Sequence, residues 1–142
     1  NKQLDVLKEQ VYILTNMTVE NLEDLYQNTG KHARELGIEI HLEGEGPKNS
    51  TYRLLLDRVV RECVTNCARH AHGSDVNVSI EEDSEAYNIR ITNNGELPNP
   101  KAREGGGLSS LRRALESEGC TMVTVFEPAF CLRLRMPKRQ SE

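Results

Sequence analysis

Four polar side chains of different chemistry are concentrated between residues 58 and 72, RVVRECVTNCARHAH. Read as an α-helix, with about 100° of rotation per residue, this segment places them on one stripe about 100° wide. They are Glu62, Asn66, Arg69 and His70. Because Glu62 and Asn66 lie one turn apart, the carboxylate can activate or orient water while the amide oxygen ligates a hard cation such as magnesium. The alternative is a solvated helix face with ordinary charges, which spacing alone favours.

A zinc site is a second interpretation of the same helix. Cys63, Cys67 and His70 fall within about 60° of arc, and cysteine and histidine are zinc ligands. Their spacing matches no standard zinc finger or ribbon, however, and a fourth ligand is unclear. Buried cysteines usually pack as small hydrophobic residues. We therefore expect Cys63 and Cys67 to belong to the apolar arc of the helix that packs on a sheet.

Three consecutive glycines, Gly105 to Gly107, stand before Leu108 at the predicted start of a later helix. Glycines in this position let backbone N–H groups approach an anion, and the positive end of the helix dipole favours phosphate there. Ser109 and Ser110 can add hydroxyl donors. A plain flexible connection is the alternative, and it has about even odds on this pattern alone.

A third motif, Thr92-Asn93-Asn94-Gly95, ends a predicted strand. Asn-Gly is first of all a turn signal. In a functional interpretation Asn93 reads a purine base, because an amide can both donate to and accept from a purine edge.

The elements that must position these residues follow from the hydrophobic pattern and the turn residues. Residues 3–36 read as two helices or one broken helix, and a central helix capped by Thr51 runs to about His72. An acidic turn at 81–85 joins two strands, a glycine- and proline-rich loop covers 93–107, and a helix ends at Gly119. Strands are predicted near residues 38–42, 76–80, 87–91, 121–126 and 129–136. This order predicts an α+β fold, a two-layer α/β sandwich in which helices cover one face of a mixed sheet.

Length and composition fit one soluble domain. The chain has 142 residues and a net charge of −4, which argues against nucleic acid as a partner because such a surface would be basic. No apolar run approaches 18 residues, and four cysteines do not make a disulfide framework, so a reducing cytoplasm is expected. The first residue is Asn1, which suggests a fragment of a longer protein, and a membrane-bound parent is compatible with this.

Taken in order, the motifs resemble the ATP-binding catalytic domain of bacterial two-component sensor histidine kinases, within the GHKL superfamily. The segment RECVTNCARHA is similar to the N box of the nitrate-sensor and thermosensor class of these kinases, E-x-x-T-N-x-x-R-H-A. ITNNGELP stands where that family has its D-x-G-x-G box, and GGGLSSLRRALESEG stands where it has G-x-G-L followed by a helix. The resemblance covers roughly residues 36–137.

The resemblance implies a fold, two cofactors and a role for each site residue. The cofactors are ATP and Mg2+, bound on a two-layer α/β sandwich, with Asn66 as the magnesium ligand. Glu62 is implied as the general base or water-positioning group, and residues 96–104 as a lid. The nucleotide would also contact residues of all three motifs: Arg69, His70, Asn93, Gly95, Gly105, Gly107 and Leu108.

Three departures from the family pattern concern mainly the part of this site that would bind the adenine base. Asn93 stands where the family has the aspartate that accepts from the adenine amine, so an acceptor is kept and its charge is lost. Charge-assisted hydrogen bonds are roughly twice as strong as neutral ones, which predicts weaker or less selective base binding. Leu97 replaces the second glycine of that box, and residues 128–131 replace a glycine-threonine pair.

The resemblance also implies partners beyond ATP and ADP. None of the four histidines is followed by Asp or Glu, as a phosphoacceptor histidine normally is, so the chain alone should not autophosphorylate. We expect residues 1–35 to end an upstream dimerisation and phosphoacceptor region and residues 36–142 to form the catalytic domain. The response regulator would be met through the parent protein, and the isolated fragment is expected to be a monomer.

Two alternatives remain open at this point. One is a degenerate GHKL domain without catalysis that serves as a partner-binding module, which the Asn93 and Leu97 departures favour. The other is a serine kinase of the anti-sigma type, because such kinases have a related N box.

Overall fold

Five strands and three helices make up the part of the chain that the computed structural model describes, residues 28–97 and 106–139. In chain order they are α1 (28–35), β1 (Glu39–Glu43), α2 (Ser50–Asn66), β2 (Asp75–Glu82), β3 (Ala86–Asn93), α3 (Gly106–Ser117), β4 (Thr121–Val125) and β5 (Cys131–Pro137). A π-helical turn, Cys67–Ala71, extends α2. None of the helices formed by these residues has the length and hydrophobicity needed to cross a membrane.

The strands form one mixed sheet in the order β1-β2-β3-β5-β4. β1 runs parallel to β2, and the other neighbouring strands are antiparallel. The short link between β2 and β3 is the acidic turn expected from the sequence. The predicted fold class is confirmed: this is an α+β two-layer sandwich with helices on one face of a mixed sheet.

The hydrophobic core lies between the sheet and the helices. Alternate residues of the three central strands are buried, as the two-residue period of a strand with one covered face requires. α2 contributes Val59 and Val64, and α3 contributes Leu108 and Leu115, all of which are at most 2% exposed. Burial of an aliphatic side chain of this size stabilises the fold by roughly 1.5–3 kcal/mol, so the core fixes both helices on the sheet.

The N-terminus of α2 is capped by Asn49 and not by Thr51, so that prediction was wrong. The Asn49 side chain accepts a hydrogen bond of 3.0 Å from the N–H of Tyr52, and the helix begins at Ser50. Asparagine is among the best N-cap residues, and its position two residues earlier leaves Thr51 inside the first turn. The Tyr52 hydroxyl in turn donates to the carbonyl of Pro137, which joins the start of α2 to the end of β5.

Side-chain contacts at two places along α2 hold α1 against it. The Thr29 hydroxyl donates to Oδ1 of Asp57 over 2.8 Å, and that carboxylate is 1% exposed. Arg61, one turn further along α2, reaches both Thr29 and Asp57. The next contact is at Thr65, which lies eight residues beyond Asp57 on α2. Nε2 of His32 in α1 lies 3.0 Å from Oγ1 of this threonine. The expected helical segment before residue 28 lies outside the described residues.

Candidate functional site

The α-helical part of the central helix ends at Asn66, earlier than the predicted end near His72. Residues Cys67–Ala71 follow as a π-helix, and His72 ends it in the left-handed conformation with φ of 51°. Asn66 is partly exposed and makes no side-chain capping hydrogen bond. Single π turns inside helices occur frequently at functional sites. The side chain of Asn66 therefore stands at a change of helix type with its amide uncommitted to the helix.

The π turn also changes the stripe that the sequence predicted. Glu62 and Asn66 are both partly buried and lie one α-helical turn apart. Arg69 and His70 are exposed and lie on the π turn, whose i→i+5 hydrogen bonds make it wider than an α-helical turn. A constant rotation of about 100° per residue therefore does not describe the angle between these two residues and Glu62. Hydrophobic spacing carries no signal for this change.

The start of α3 packs directly on the carboxylate of Glu62. A Cβ atom added to Gly107 would overlap the Glu62 carboxylate, with Oε2 at 2.9 Å and Oε1 closer still. Only glycine fits this position without moving the carboxylate. Glu62 of the central helix and Gly107 of the glycine motif, which are 45 residues apart in the sequence, are thus neighbours. Leu108, the next residue, is 2% exposed and anchors the first turn of α3 in the core.

This juxtaposition fits a phosphate group and its cation chemically. The open N–H groups of a helix start and its dipole attract anions, and Gly107 lacks a side chain that would keep an anion away. The carboxylate of Glu62 and the amide of Asn66 are oxygen donors of the kind that magnesium prefers. Gly105 lies outside the described residues, so its assignment to the phosphate end stays a prediction.

The end of β3 is fastened to the start of β2 by Asn94, a residue that the sequence analysis did not single out. Its Oδ1 accepts from the backbone N–H groups of Ser74 and Asp75 over 2.8 and 2.9 Å. Its Nδ2 donates to the Ser74 hydroxyl and to Oδ2 of Asp75, both over 3.1 Å. The available signal was the Asn-Asn-Gly sequence, since asparagine side chains often bond to backbone groups in turns.

Asn93 lies at the end of β3 and is partly exposed. Its Nδ2 donates to the carbonyl of Asn94 over 2.7 Å. One of its two amide hydrogens is therefore used within the turn. The interpretation of Asn93 as a base-reading residue requires an acceptor, and Oδ1 is the atom that would serve as one.

Gly95 connects this strand end to the π turn. Its φ is 101°, and a Cβ atom there would lie 2.9 Å from both N and Cα of Gly73 and closer to the carbonyl of Ala71. The next residue, Glu96, donates its N–H to that same carbonyl over 2.7 Å. The structure thus brings the Asn-Gly motif against the C-terminal end of the central helix. The two predicted halves of the site are continuous through backbone contacts.

The zinc interpretation of the central helix was wrong. Cys63 and Cys67 are buried in the core, at 2% and 1% exposure, whereas His70 is exposed. Burial raises the pKa of both thiols, as expected for cysteines that pack as small hydrophobic residues in the core. Within residues 28–97 and 106–139, the group whose ligand atoms come together is a different one, made of the exposed Glu39 and His41 and the partly buried Asp75. Nε2 of His41 lies 2.8 Å from Oδ1 of Asp75, so an ordinary surface ion pair accounts for it.

Comparison with solved structures identifies close relatives in fold. Acinetobacter baumannii histidine kinase AdeS superposes with a TM-score of 0.66 at 11% identity, over 94% of this chain and 76% of that one. The histidine kinase domain of a blue-light-activated kinase of Erythrobacter litoralis gives 0.61 at 16% identity, over 80% of this chain and 60% of that one. The catalytic domain of histidine kinase ThkA gives 0.61 at 19% identity, over 84% and 90% of the two chains.

Comparison at the level of sequence is more selective. None of the curated proteins compared with this chain matches it significantly. The sequence model of one family does match, over residues 51–136, which include most of the central helix, the Asn-Gly motif at the end of β3 and the start of α3. The chain therefore belongs to the family of histidine kinase-, DNA gyrase B- and HSP90-like ATPases.

Proposed function

We propose that this chain is the ATP-binding catalytic domain of a sensor histidine kinase and transfers the γ-phosphate of ATP to a histidine on another domain. The observation that carries the proposal is the contact between the Glu62 carboxylate and Gly107 at the start of α3. It joins a candidate base to a candidate phosphate-binding helix start. The fold shared with AdeS and ThkA supports it.

The roles of the individual residues follow from their positions. The Asn66 side-chain oxygen, which the helix does not use for capping, would hold magnesium. Glu62 would accept or orient the proton of the attacking nitrogen. Arg69 and His70, both exposed on the π turn, would lie along the phosphates. Magnesium bound with ATP would neutralise phosphate charge, as in phosphoryl transfer generally.

The part of the site that binds the adenine ring would be formed by Asn93 and Gly95. Oδ1 of Asn93 would accept from an exocyclic amine, while its Nδ2 stays bonded to the Asn94 carbonyl. Gly95 would keep the strand end against the π turn, so that base and phosphate sites hold a fixed distance. The lid assigned to residues 96–104 stays a prediction, because residues 98–105 lie outside the described part of the chain.

The wider protein is also part of this proposal. The complete E-x-x-T-N-x-x-R-H-A match favours the nitrate-sensor and thermosensor class of kinases. The phosphoacceptor histidine would belong to an upstream dimerisation domain that residues 1–35 lead from, on the cytoplasmic side. A response regulator would then receive the phosphoryl group. The chain spans 76% of AdeS and 60% of the Erythrobacter litoralis domain.

The first experiment is a thermal-shift titration with Mg-ATP and Mg-ADP. A ligand that binds only the folded state adds about 2.7 kcal/mol at a hundred times its Kd, so several degrees of stabilisation are expected at saturation. Asn66→Ala should abolish the shift, whereas Asn77→Ala, an exposed asparagine of β2, should retain it. No shift at millimolar nucleotide would contradict the proposal.

The second experiment tests transfer. The chain is mixed with the histidine-bearing domain of its parent and labelled ATP, and acid-labile phosphohistidine is expected on that domain. Acid-stable phosphoserine on a partner would instead support the anti-sigma-type kinase.

The second candidate function is a partner-binding module without catalysis. It is favoured by Asn93, whose amide lacks the charge of an aspartate and is partly engaged by the Asn94 carbonyl. Nucleotide binding that appears only after Asn93→Asp would support this candidate over the first.

A further inference from the structure

Three arginines lie together on the face of the sheet opposite the core. Arg90 of β3 and Arg133 of β5 are direct partners in the antiparallel register, and Arg135 is two residues further along β5. Their neighbours Ile89, Ile91, Leu132 and Leu134 are buried, so the alternation of the strands sends all three arginines to the other side. All three are exposed. We call this group, Arg90, Arg133 and Arg135, the arginine face.

The arginine face has an electrostatic cost that the fold compensates only at Arg135. Directly opposed side chains in an antiparallel pair have Cβ atoms about 4.5–5.5 Å apart, where like charges are destabilising. Among the described residues, Arg90 and Arg133 form no ion pair, whereas Arg135 has a long contact of 3.8 Å with the exposed Glu85 and a favourable charge interaction with Asp83. Arg90 Nε contacts the Cys131 sulfur at 3.3 Å, which holds the guanidinium in place. In a chain with net charge −4, such a cluster is unexpected on structural grounds alone.

The arginine face is also shaped to receive side chains. A shallow hollow of about 410 Å³ is lined by the three arginines, by Val123 and, on its β2 side, by Glu81. Val123 is the register partner of Arg133 on the edge strand β4 and is 55% exposed. Val125, on the same strand, is 41% exposed. An apolar strip thus borders a positively charged hollow, the combination of aliphatic and arginine contacts that is typical of protein interfaces.

The charges around the hollow restrict what it can bind. Across the sheet, Arg90 pairs with Ser79, which pairs with Glu43, and Arg135 pairs with Asn88, which pairs with Glu81. Both glutamates are exposed. With strands about 4.8 Å apart, the positive strip is only about two strands wide before carboxylates begin. A nucleic acid backbone crossing the sheet would meet these carboxylates, and a second copy stacked face to face would oppose arginine to arginine.

We propose that the arginine face is a docking surface for an acidic segment of a partner protein. Two carboxylates of that segment would bridge Arg90, Arg133 and Arg135, and an aliphatic residue beside them would pack on Val123. Arginine is suited to this role because its planar fork binds carboxylates in a bidentate manner. Binding of the segment removes the repulsion between the opposed guanidinium groups. The surface is independent of the nucleotide site, because α2 and α3 cover the other face of the sheet.

Fluorescence anisotropy with a labelled peptide of alternating glutamate and leucine tests this proposal. The folded chain should bind the peptide at low salt, and affinity should fall as salt screens the charges. Replacing both opposed arginines, by Arg90→Gln with Arg133→Gln, should weaken binding about tenfold or more. The matched control, Lys31→Gln with Arg34→Gln, removes two exposed charges from α1 and should change the affinity less than about twofold.

Four further measurements decide the outcome. The arginine double variant should have an unchanged or higher melting temperature, because it removes like-charge repulsion. A lower melting temperature with unchanged peptide binding would overturn the proposal and make the arginines structural. Tighter binding of single-stranded DNA or polyphosphate than of the peptide, or dimerisation that depends on Arg90 in sedimentation, would also overturn it. The double variant should bind Mg-ATP with the same affinity as the parent chain. Failure of the docking proposal can then be distinguished from failure of the proposed ATP-binding function.

Discussion

The carboxylate of Glu62 occupies the space that a side chain at Gly107 would need. The overlap involves the end of a flexible side chain, so the fold can relieve it by turning the Glu62 carboxylate away. Stability and function should therefore respond differently to a methyl group at this position.

Gly107→Ala is expected to unfold at nearly the same urea concentration as the parent, within about 1 kcal/mol, because alanine is the better helix former. Phosphotransfer should fall about a hundredfold, since a base displaced by about 1 Å loses its geometry. Single-turnover kinetics at saturating ATP measures this. Gly30→Ala, where ordinary contact with Arg34 at 3.5 Å is the nearest encounter, is the control and should leave the rate unchanged.

Gly95→Ala should destabilise the fold by about 3 kcal/mol or more. Its positive φ costs an L-residue about 1–2 kcal/mol, and its Cβ would meet the backbone of Ala71 and Gly73, which cannot move aside as a side chain can. Gly37→Ala separates the two causes, because φ there is 74° and no atom lies within 4 Å. Urea unfolding should give only the conformational cost for Gly37→Ala. Equal losses for the two variants would mean that the contact of Gly95 with Gly73 is unimportant.

Asn93→Asp is expected to raise affinity for ATP relative to GTP. A carboxylate accepts more strongly from the adenine amine, although it gives up the 2.7 Å bond to the Asn94 carbonyl and faces that oxygen. The gain should therefore be moderate, about tenfold or less. Calorimetry with both nucleotides in magnesium measures it, and Asn93→Ala should weaken both nucleotides. Unchanged affinities in both variants would remove Asn93 from the base site.

Asp57 predicts a dependence of stability on pH that most carboxylates do not share. Burial raises the pKa of its carboxyl from 3.8 to about 6, against the lowering effects of the Thr29 hydroxyl and Arg61. Between about pH 4 and 6 the folded state holds a proton that the unfolded chain has released, so the free energy of unfolding decreases as pH rises. The loss is on the order of 2–3 kcal/mol and is complete above about pH 6.

Asp57→Asn should remove this slope and be at least as stable as the parent near pH 7. The comparison is made as a difference between the two urea-unfolding free energies at each pH. Exposed carboxyls such as Asp83, whose pKa is lowered by hydrogen bonds from Glu85 and Ala86, act with the opposite sign and cancel in that difference. A difference that is flat from about pH 4 to 6 would contradict a raised pKa.

The sequence predicted the sheet and its helices because their signals are local. Alternation at Val76, Val78 and Ile80, and a helical apolar arc at Val60 and Val64, depend only on which face meets the core. The end of α3 was equally clear from Gly119. The cover of one face followed from the sequence of element types, whereas the strand order β1-β2-β3-β5-β4 was not predicted.

The finer features of the site depend on contacts between distant segments. The π turn at Cys67–Ala71 has no hydrophobic period of its own, and the role of Asn94 requires Ser74 and Asp75, which lie about twenty residues earlier in the chain. The fit of Gly107 against Glu62 likewise exists only after the fold has brought α3 to α2. The spacing of residue types indicated which side chains could form a site, but only the tertiary structure shows which of them are in contact.

The paired contacts between α1 and α2 have a mechanical consequence. They meet α2 at Asp57 and at Thr65, which are about 12 Å apart along the helix axis, on either side of Glu62. α1 is thus attached to α2 on both sides of the turn that carries the Glu62 carboxylate. It cannot slide along that stretch without breaking the buried bond between Thr29 and Asp57, so any force applied to α1 from upstream reaches α2 on both sides of Glu62.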